Sequence, residues 1–251
     1  MPKCKGIGQS QETPIKQSTL RHLLRTQFAI CKSIMSSRMD WAEPIFYWWD
    51  LTAGNGHDND GQPGSAIIFV EEAKAADMRF KAVMIDKNPQ NCADLEQKIG
   101  DIPNITIRCG DHNVIFPQYF GRSNKAQLGF IYVDPNGIPP FELLKLASRV
   151  QRFRKTDILI NCPVTALKRC SNKLCLSDEL KEIDKRQWVI RSPHGAWQWS
   201  FLIGSNWMDF PEWKRAGFYE ITGSMGGRII DRLSKTTRSE ERRVGKECRS
   251  R

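Results

Sequence analysis

The chain has 251 residues, of which 40% are hydrophobic and 26% charged; this is ordinary globular usage and excludes collagen-like, disordered and coiled-coil classes for the chain as a whole. Lys plus Arg outnumber Asp plus Glu by 38 to 28, a formal charge of +10 that favours an anionic partner such as nucleic acid without establishing one. No window approaches about 18 consecutive apolar residues and the N-terminus has no apolar signal-sequence core, so a cytoplasmic protein without a membrane span is expected.

Residues 1–14 form a polar lead-in. A helix follows across roughly 15–36, where Leu20, Leu23, Leu24, Phe28, Ile30, Cys31 and Ile34 recur at helical spacing, and 1–40 reads as a helical extension of the domain behind it. The pattern then changes to IFYWWDL, an apolar strand ending at Asp50, and to the polar, glycine-rich TAGNGHDNDGQPGS. AIIFVEEAKAADMR suits a helix, and FKAVMID a second strand ending at Asp86. NPQNCADLEQKIG is a helix capped by Asn88, opened by Pro89 and stopped by Gly100. NITIRCGD gives a third strand before Asp111, HNVIFPQYFG a short helix or turn, and LGFIYVDPNG a fourth strand before Asp134. An amphipathic helix, PFELLKLASRVQRF, leads to a fifth strand, DILINCP.

Five strands alternating with helices predict an α/β fold: a Rossmann-like, doubly wound sheet of about seven strands over 41–234, mostly parallel and closed by an antiparallel C-terminal hairpin. Beyond Pro163, the segment TALKRCSNKLCLSDELKEIDKRQWV reads as polar helix, WQWSFLIGSN as a strand, MDFPEWKRAGFYEI as helix and turn, and GRIIDRLS as a last strand. Residues 235–251 carry seven basic and three acidic side chains with almost nothing apolar, and read as a disordered or appended basic tail. The eight cysteines are scattered, with Cys170 and Cys175 the one close pair and no histidine near it in sequence; reduced thiols and no metal centre are expected.

In an open parallel sheet, ligands bind off the carboxyl ends of the strands, where strand order reverses. Four successive strands here end in acids, more than turn chemistry alone accounts for. Gly54-Asn55-Gly56 lets the backbone pass close to a ligand, but Asn59 stands where a dinucleotide fingerprint needs its third glycine, and no phosphate-loop Gly-Lys-Ser/Thr follows. A cofactor with an adenosine and a charged amino-acid end fits better. Asp86 suits both ribose hydroxyls, Asp111 the adenine amino group, and Asp50 either orders the glycine loop or holds the ammonium end through water. Asp134-Pro135-Asn136-Gly137 sets a carboxylate beside that pocket. Asp134 and the carbonyl of Pro135 are placed to accept hydrogen bonds from an exocyclic amine held in line for methyl transfer. The bland alternative is a plain Asp-Pro-Asn-Gly turn.

These residues resemble a class I S-adenosylmethionine-dependent methyltransferase, and within that group the three-Cys-motif partner protein family of bacterial, often mobile-element or defence-associated enzymes. The resemblance runs from about Tyr47 to Arg169, through DLTAGNGHDNDGQPGSA, IDKNP, CGDHN, VDPNG and LINCP. It implies S-adenosyl-L-methionine as cofactor, bound by Asp50, Thr52, Ala53, Gly54, Gly56, Asp86, Lys87, Asp111 and His112. It also implies catalysis at Asp134 to Gly137, with a basic residue after the fifth strand, Lys168 or Arg169, on the substrate side and a possible protein partner encoded alongside. The chain departs from the family at Asn136, where an aromatic residue is usual. Stacking on an acceptor base then falls to Phe141, Tyr119 or the tryptophans of the C-terminal part. There Trp188, Trp197, Trp199, Trp207 and Trp213 are interleaved with Arg191, His194, Lys214 and Arg215, a pattern that suits stacked bases and phosphates but that strand alternation assigns first to core packing. The expected function is a methyltransferase acting on a nucleic-acid amino group. The alternatives are a catalytically idle module of the same fold that binds nucleic acid or a protein, and a nicotinamide-dependent oxidoreductase, which the missing third glycine disfavours.

Overall fold

The structure is a computed structural model that describes residues 13–36, 45–57, 61–121, 125–169, 174–193, 199–207, 213–214 and 216–234. The basic tail 235–251, together with Cys170, His194, Trp197 and Arg215, lies outside the described residues.

The apolar runs that end in acids become parallel strands: β1 (Phe46–Asp50), β2 (Phe80–Asp86), β3 (Ile105–Cys109), β4 (Leu128–Val133) and β5 (Thr156–Pro163). β6 (Gln187–Arg191), β7 (Trp199–Ser205) and β8 (Phe218–Glu220) complete one eight-stranded sheet of order β3-β2-β1-β4-β5-β7-β6-β8. The first five positions follow the 3-2-1-4-5 order of dinucleotide-binding sheets. The sixth does not: β7 runs antiparallel to both β5 and β6, sitting between them. An antiparallel C-terminal pair was expected, and β8, antiparallel to β6, adds an edge strand beyond the anticipated seven.

Each face of the sheet carries its own apolar cluster. α1 (Thr13–Ser36), α2 (Ser65–Ala75) and α3 (Pro89–Ile99) cover one, with Leu20, Leu24 and Phe28 of α1 and Ile68, Phe69 and Leu95 packed on Trp48, Phe130 and Phe201. α5 (Phe141–Ser148), α6 (Val164–Arg169), α7 (Leu176–Glu182) and α8 (Ser224–Ser234) cover the other; the one-turn α4 (His112–Ile115) follows β3. Asn88 caps α3 through Gln90 N–H, Pro89 opens the helix and Gly100 closes it at φ 65°, as the sequence indicates.

Three C-terminal assignments are corrected. Within MDFPEWKRAGFYEI, read as helix and turn, Phe218–Glu220 is the edge strand β8. GRIIDRLS is helix, not strand: Ile229, Ile230 and Leu233 are buried at helical spacing, and the short β-branched run mimics a strand only when read without its flanks. The polar segment after Pro163 is two short helices separated by undescribed residues, and its end, Gln187–Arg191, is a strand whose middle three residues are buried.

α1 is fastened along its whole length. Arg21 and Arg25 donate to the buried Glu72 of α2 at 2.6–2.9 Å, and Gln27 Nε2 donates to the buried Asp157 of β5 at 2.8 Å. Burial raises the Asp157 carboxyl to about 6 and lowers Lys185, behind the same strand, to about 8; Lys185 Nζ donates instead to the carbonyls of Phe153 and Thr156. No described helix is long and apolar enough to cross a membrane.

The β1–β4 pairing that sets up the site requires a glycine at one point. A Cβ at Gly129, where φ is 154°, falls 1.8 Å from the carbonyl oxygen of Tyr47 on β1. Gly129→Ala is expected to cost more than about 3 kcal/mol of stability, whereas Gly137→Ala, with nothing within 4 Å of the added carbon, stays within about 0.5 kcal/mol. Urea midpoints of the two variants check this.

Candidate active site

Strand order reverses between β1 and β4, since the helix after β1 covers one face and the helix after β4 the other. The four sequence-predicted acids lie at or just beyond the carboxyl ends of β1, β2, β3 and β4.

Asp50 closes β1 and is fully buried. Its Oδ1 accepts from Thr52 N–H at 3.0 Å and its Oδ2 from Ser65 Oγ at 2.8 Å, so it ties the start of the glycine loop to the first residue of α2. Of its two expected roles, the geometry supports ordering the loop. Burial, reinforced by Asp134 and Asp86 nearby, pushes its carboxyl up to about 7 despite the two hydrogen bonds. The loop it fastens turns at Gly54 (φ 63°) and Gly56 (φ 85°), and Gly64 N–H donates to Gly56 O at 2.7 Å to close the base of the polar insertion. A Cβ at Gly54 meets nothing within 4 Å, so the loop opens onto free space at that residue.

Asp86 meets the same loop from β2. Its Oδ2 accepts from Gly54 N–H at 3.0 Å, and its Oδ1 from Asn88 N–H at 2.8 Å and Asn91 Nδ2 at 3.0 Å. A carboxylate has about four lone-pair sites, which leaves room for a further donor. Asp111 caps α4, and its bonds from Asn113 N–H (2.8 Å) and Asn113 Nδ2 (3.0 Å) both land on Oδ1. The backbone bond holds its carboxyl below the usual range. Half-buried His112 feels the charges of Asp111 and Asp86, and burial keeps it below its ordinary value. Lys87 is exposed beside them.

Asp134 is the most heavily used of the four. Its backbone N–H donates to Thr52 Oγ1 at 2.7 Å, joining the end of β4 to the glycine loop. One carboxylate oxygen accepts from Asn161 Nδ2 of β5 at 2.6 Å; the other pairs with Lys16 Nζ of α1 and lies 3.5 Å from Tyr132 OH. Tyr132 is fully buried, and burial next to Asp134 raises its hydroxyl well above the usual value. Pro135 and Gly137 are half-buried and Asn136 is exposed in the bend that follows. Asp50, Gly54, Asp86 and Asp134 are therefore joined through hydrogen bonds to the glycine loop, and Asp111 follows Gly110, whose N–H donates to Asp86 O, so all lie along the carboxyl ends of β3, β2, β1 and β4.

Other predicted residues fall differently. Ala53 is buried and donates its N–H to Ile85 O, continuing the strand ladder. Phe141 and Tyr119 are buried in the apolar cluster on the β5–α5 face, so neither presents a ring for stacking. Trp188, Trp199 and Trp213 are likewise core residues, the packing that alternation favours. Lys168 is half-buried and Arg169 exposed in the last turn of α6, after β5.

Lys16 and Asn161 escape sequence reasoning, and Arg191 enters it only as one of the basic residues among the C-terminal tryptophans. Lys16 reaches Asp134 across 118 positions, a contact with no local signal. Asn161 sits inside an apolar strand where an amide reads as incidental. Arg191 ends β6, half-buried, with its guanidinium on Thr19 Oγ1 at 2.6 Å, one helical turn from Lys16. The sequence offers it for phosphates beside the tryptophans; the structure sets it on α1.

No sequence-family model and no curated relative matches the chain. Among solved structures, the chain is similar to a DUF519-family protein from Legionella pneumophila str. Philadelphia 1, at 12% identity and a TM-score of 0.51, over 80% of this chain and 89% of that one. It is also similar to a human methyltransferase 10 domain containing protein, at 10% identity and 0.48 over 76% and 84%. A precorrin-6y C5,15-methyltransferase from Geobacter metallireducens GS-15 follows at 13% and 0.44 over 82% and 92%. At such identity the first supports the fold and nothing finer, and the other two carry no weight.

The raised Asp50 carboxyl has a testable sign. Unfolded, it titrates near 3.9; folded, near 7, so between these values the unfolded chain has released a proton that the folded chain keeps. Its contribution to stability falls as pH rises from about 4 to about 7 and is level above. Asp50→Asn, which keeps an acceptor for Thr52 N–H, is expected to gain stability relative to the parent chain across that window. Paired urea titrations at pH 4.5 and 8 read the change.

Proposed function

We propose that the chain is an S-adenosylmethionine-dependent methyltransferase that modifies an amino group of a nucleic acid. The observation that carries the reading is the clustering of Asp86, Asp111 and Asp134 around a loop whose Gly54 N–H is already held by Asp86. The donor set fits the cofactor. A ribose hydroxyl needs an acceptor, and Asp86 Oδ2, bonded once to Gly54 N–H, keeps a lone pair; an adenine amino group needs one too, and Asp111 Oδ2 is available beyond its cap. A cationic sulfonium and ammonium suit a rim of carboxylates, and Gly54, where a side chain would project into open space, leaves the backbone accessible.

When bound, the cofactor supplies an electrophilic methyl group. The chain's part is to hold the acceptor. Asp134 accepts a hydrogen bond from the amine and orients its lone pair, and the amine's surplus proton leaves through the same carboxylate to water. Thr52 fixes Asp134 by its backbone, and Asn161 by its side chain, so the acceptor is positioned by groups already in place. The net charge of +10, with Lys168 and Arg169 in the last turn of α6 and the half-buried Arg191 at the end of β6, favours a polyanionic substrate.

Calorimetry with S-adenosylhomocysteine is expected to show binding that Asp86→Ala weakens at least tenfold and Asp134→Asn changes less than threefold. With labelled S-adenosylmethionine and mixed host DNA and RNA, the parent chain transfers label and Asp134→Asn does not. Absence of binding overturns the reading; binding without transfer to any acceptor points to the idle module of the same fold.

A further inference from the structure

Two features around Asp134 stand outside the roles just given. The first is Lys16. Its side chain is only 24% exposed, and its ammonium rests on the carboxylate that the proposed reaction needs for its acceptor. The second is the amide of Asn161, 4% exposed, whose Nδ2 donates to Asp134 while its Oδ1 is buried with no hydrogen-bond partner among the described residues. Reversing the amide would set two oxygens 2.6 Å apart, so its orientation is fixed by Asp134. A buried acceptor without a donor costs about 1–3 kcal/mol. Such a group beside a reactive carboxylate marks a place for a ligand's N–H.

We infer that Lys16 is a displaceable plug on the acceptor position, and that the entering group is an –NH2 whose two hydrogens go to Asp134 and to Asn161 Oδ1. This rests on the reading of Asp134 as the acceptor site. An ammonium on Asp134 already shows that a nitrogen with hydrogens to donate is accommodated there. An –NH2 group is the smallest donor that satisfies both Asp134 and the unmatched amide oxygen, and adenine and cytosine carry one where hypoxanthine and uracil carry a carbonyl. The plug then acts as a selectivity device. A base without an amino group gains nothing from the vacated carboxylate and presents its own oxygen to Asp134 and to Asn161 Oδ1, which is repulsive. Lys16 is anchored for this work by its helix, since Thr19, one turn on, takes the Arg191 hydrogen bond, and Gln17 Nε2 donates to Pro63 O at 3.0 Å. Its own side chain can swing off Asp134 without moving α1.

The test needs no cofactor. The full chain is pulsed with an amine-acetylating reagent, and acetylation of Lys16 is compared with that of the exposed Lys74 by mass spectrometry. The comparison is made alone, with a 20-nucleotide alternating dA/dC strand, and with its deaminated counterpart, alternating dI/dU. Lys16 is expected to react at least tenfold slower than Lys74 in the free chain. The dA/dC strand should raise it at least fivefold, and the dI/dU strand should leave it unchanged. By fluorescence anisotropy, Lys16→Met should bind the dA/dC strand at least threefold tighter and Asn161→Leu at least fivefold weaker, with dI/dU binding unmoved in Lys16→Met. Equal effects of the two strands, or no effect of either, overturn the plug. Calorimetry with S-adenosylhomocysteine on the same protein then shows whether the cofactor reading stands without it.

Discussion

A buried carboxylate held by a backbone N–H and a hydroxyl organises the carboxyl edge of this sheet. Asp50 is sealed at the end of β1, and its two oxygens are spent on Thr52 N–H and Ser65 Oγ. Everything nearby is hung from that arrangement: Thr52 turns its hydroxyl to the backbone of Asp134, and Gly54 presents its N–H to Asp86. Because the group is buried and raised to about 7, the loop is tied down by a side chain that is largely neutral at lower pH. The start of a polar, glycine-rich segment is thereby fixed by hydrogen bonds to one buried side chain.

The same economy appears at Asp134, with the opposite charge logic. Here the carboxylate keeps an ammonium partner, Lys16, and an amide, Asn161, and the three come from α1, the end of β4 and β5. Partly exposed ion pairs contribute little to stability, so the pair is better understood through what it occupies than through what it stabilises. Asp111, by contrast, satisfies the bland expectation for a strand-end acid, since it caps a helix, and still leaves one oxygen facing outward.

The parallel half of the fold was legible because its physics is local. Phe46–Asp50, Phe80–Asp86 and Leu128–Val133 are short apolar runs stopped by a polar residue, and Asn88-Pro89 followed by Gly100 brackets a helix by capping chemistry alone. The C-terminal part resisted. The short GRIIDRLS segment contains a β-branched pair in both helical and strand registers, and β6 begins directly behind a charged turn. At the site, the acids could be placed by position after each strand, but Lys16 could not: an ion pair 118 residues apart is a product of the topology. Asn161 was visible as a letter within LINCP, and its meaning came only from its neighbour. The tryptophans illustrate the reverse error risk, since Trp188, Trp199 and Trp213 look like a binding surface when written in a row and are interior when folded.

The fastening of α1 also bears on how the chain is made. Its partners Glu72, Asp134, Asp157 and Arg191 emerge from the ribosome in that order, long after the helix itself. An early amphipathic helix must therefore wait with its apolar side uncovered while the sheet is built from the middle outward, and its last tether arrives with β6. Synthesis has to pass residue 191 before the first turns of α1 have their final surroundings, so a truncated nascent chain carries the strand-end acids with that helix only partly tethered.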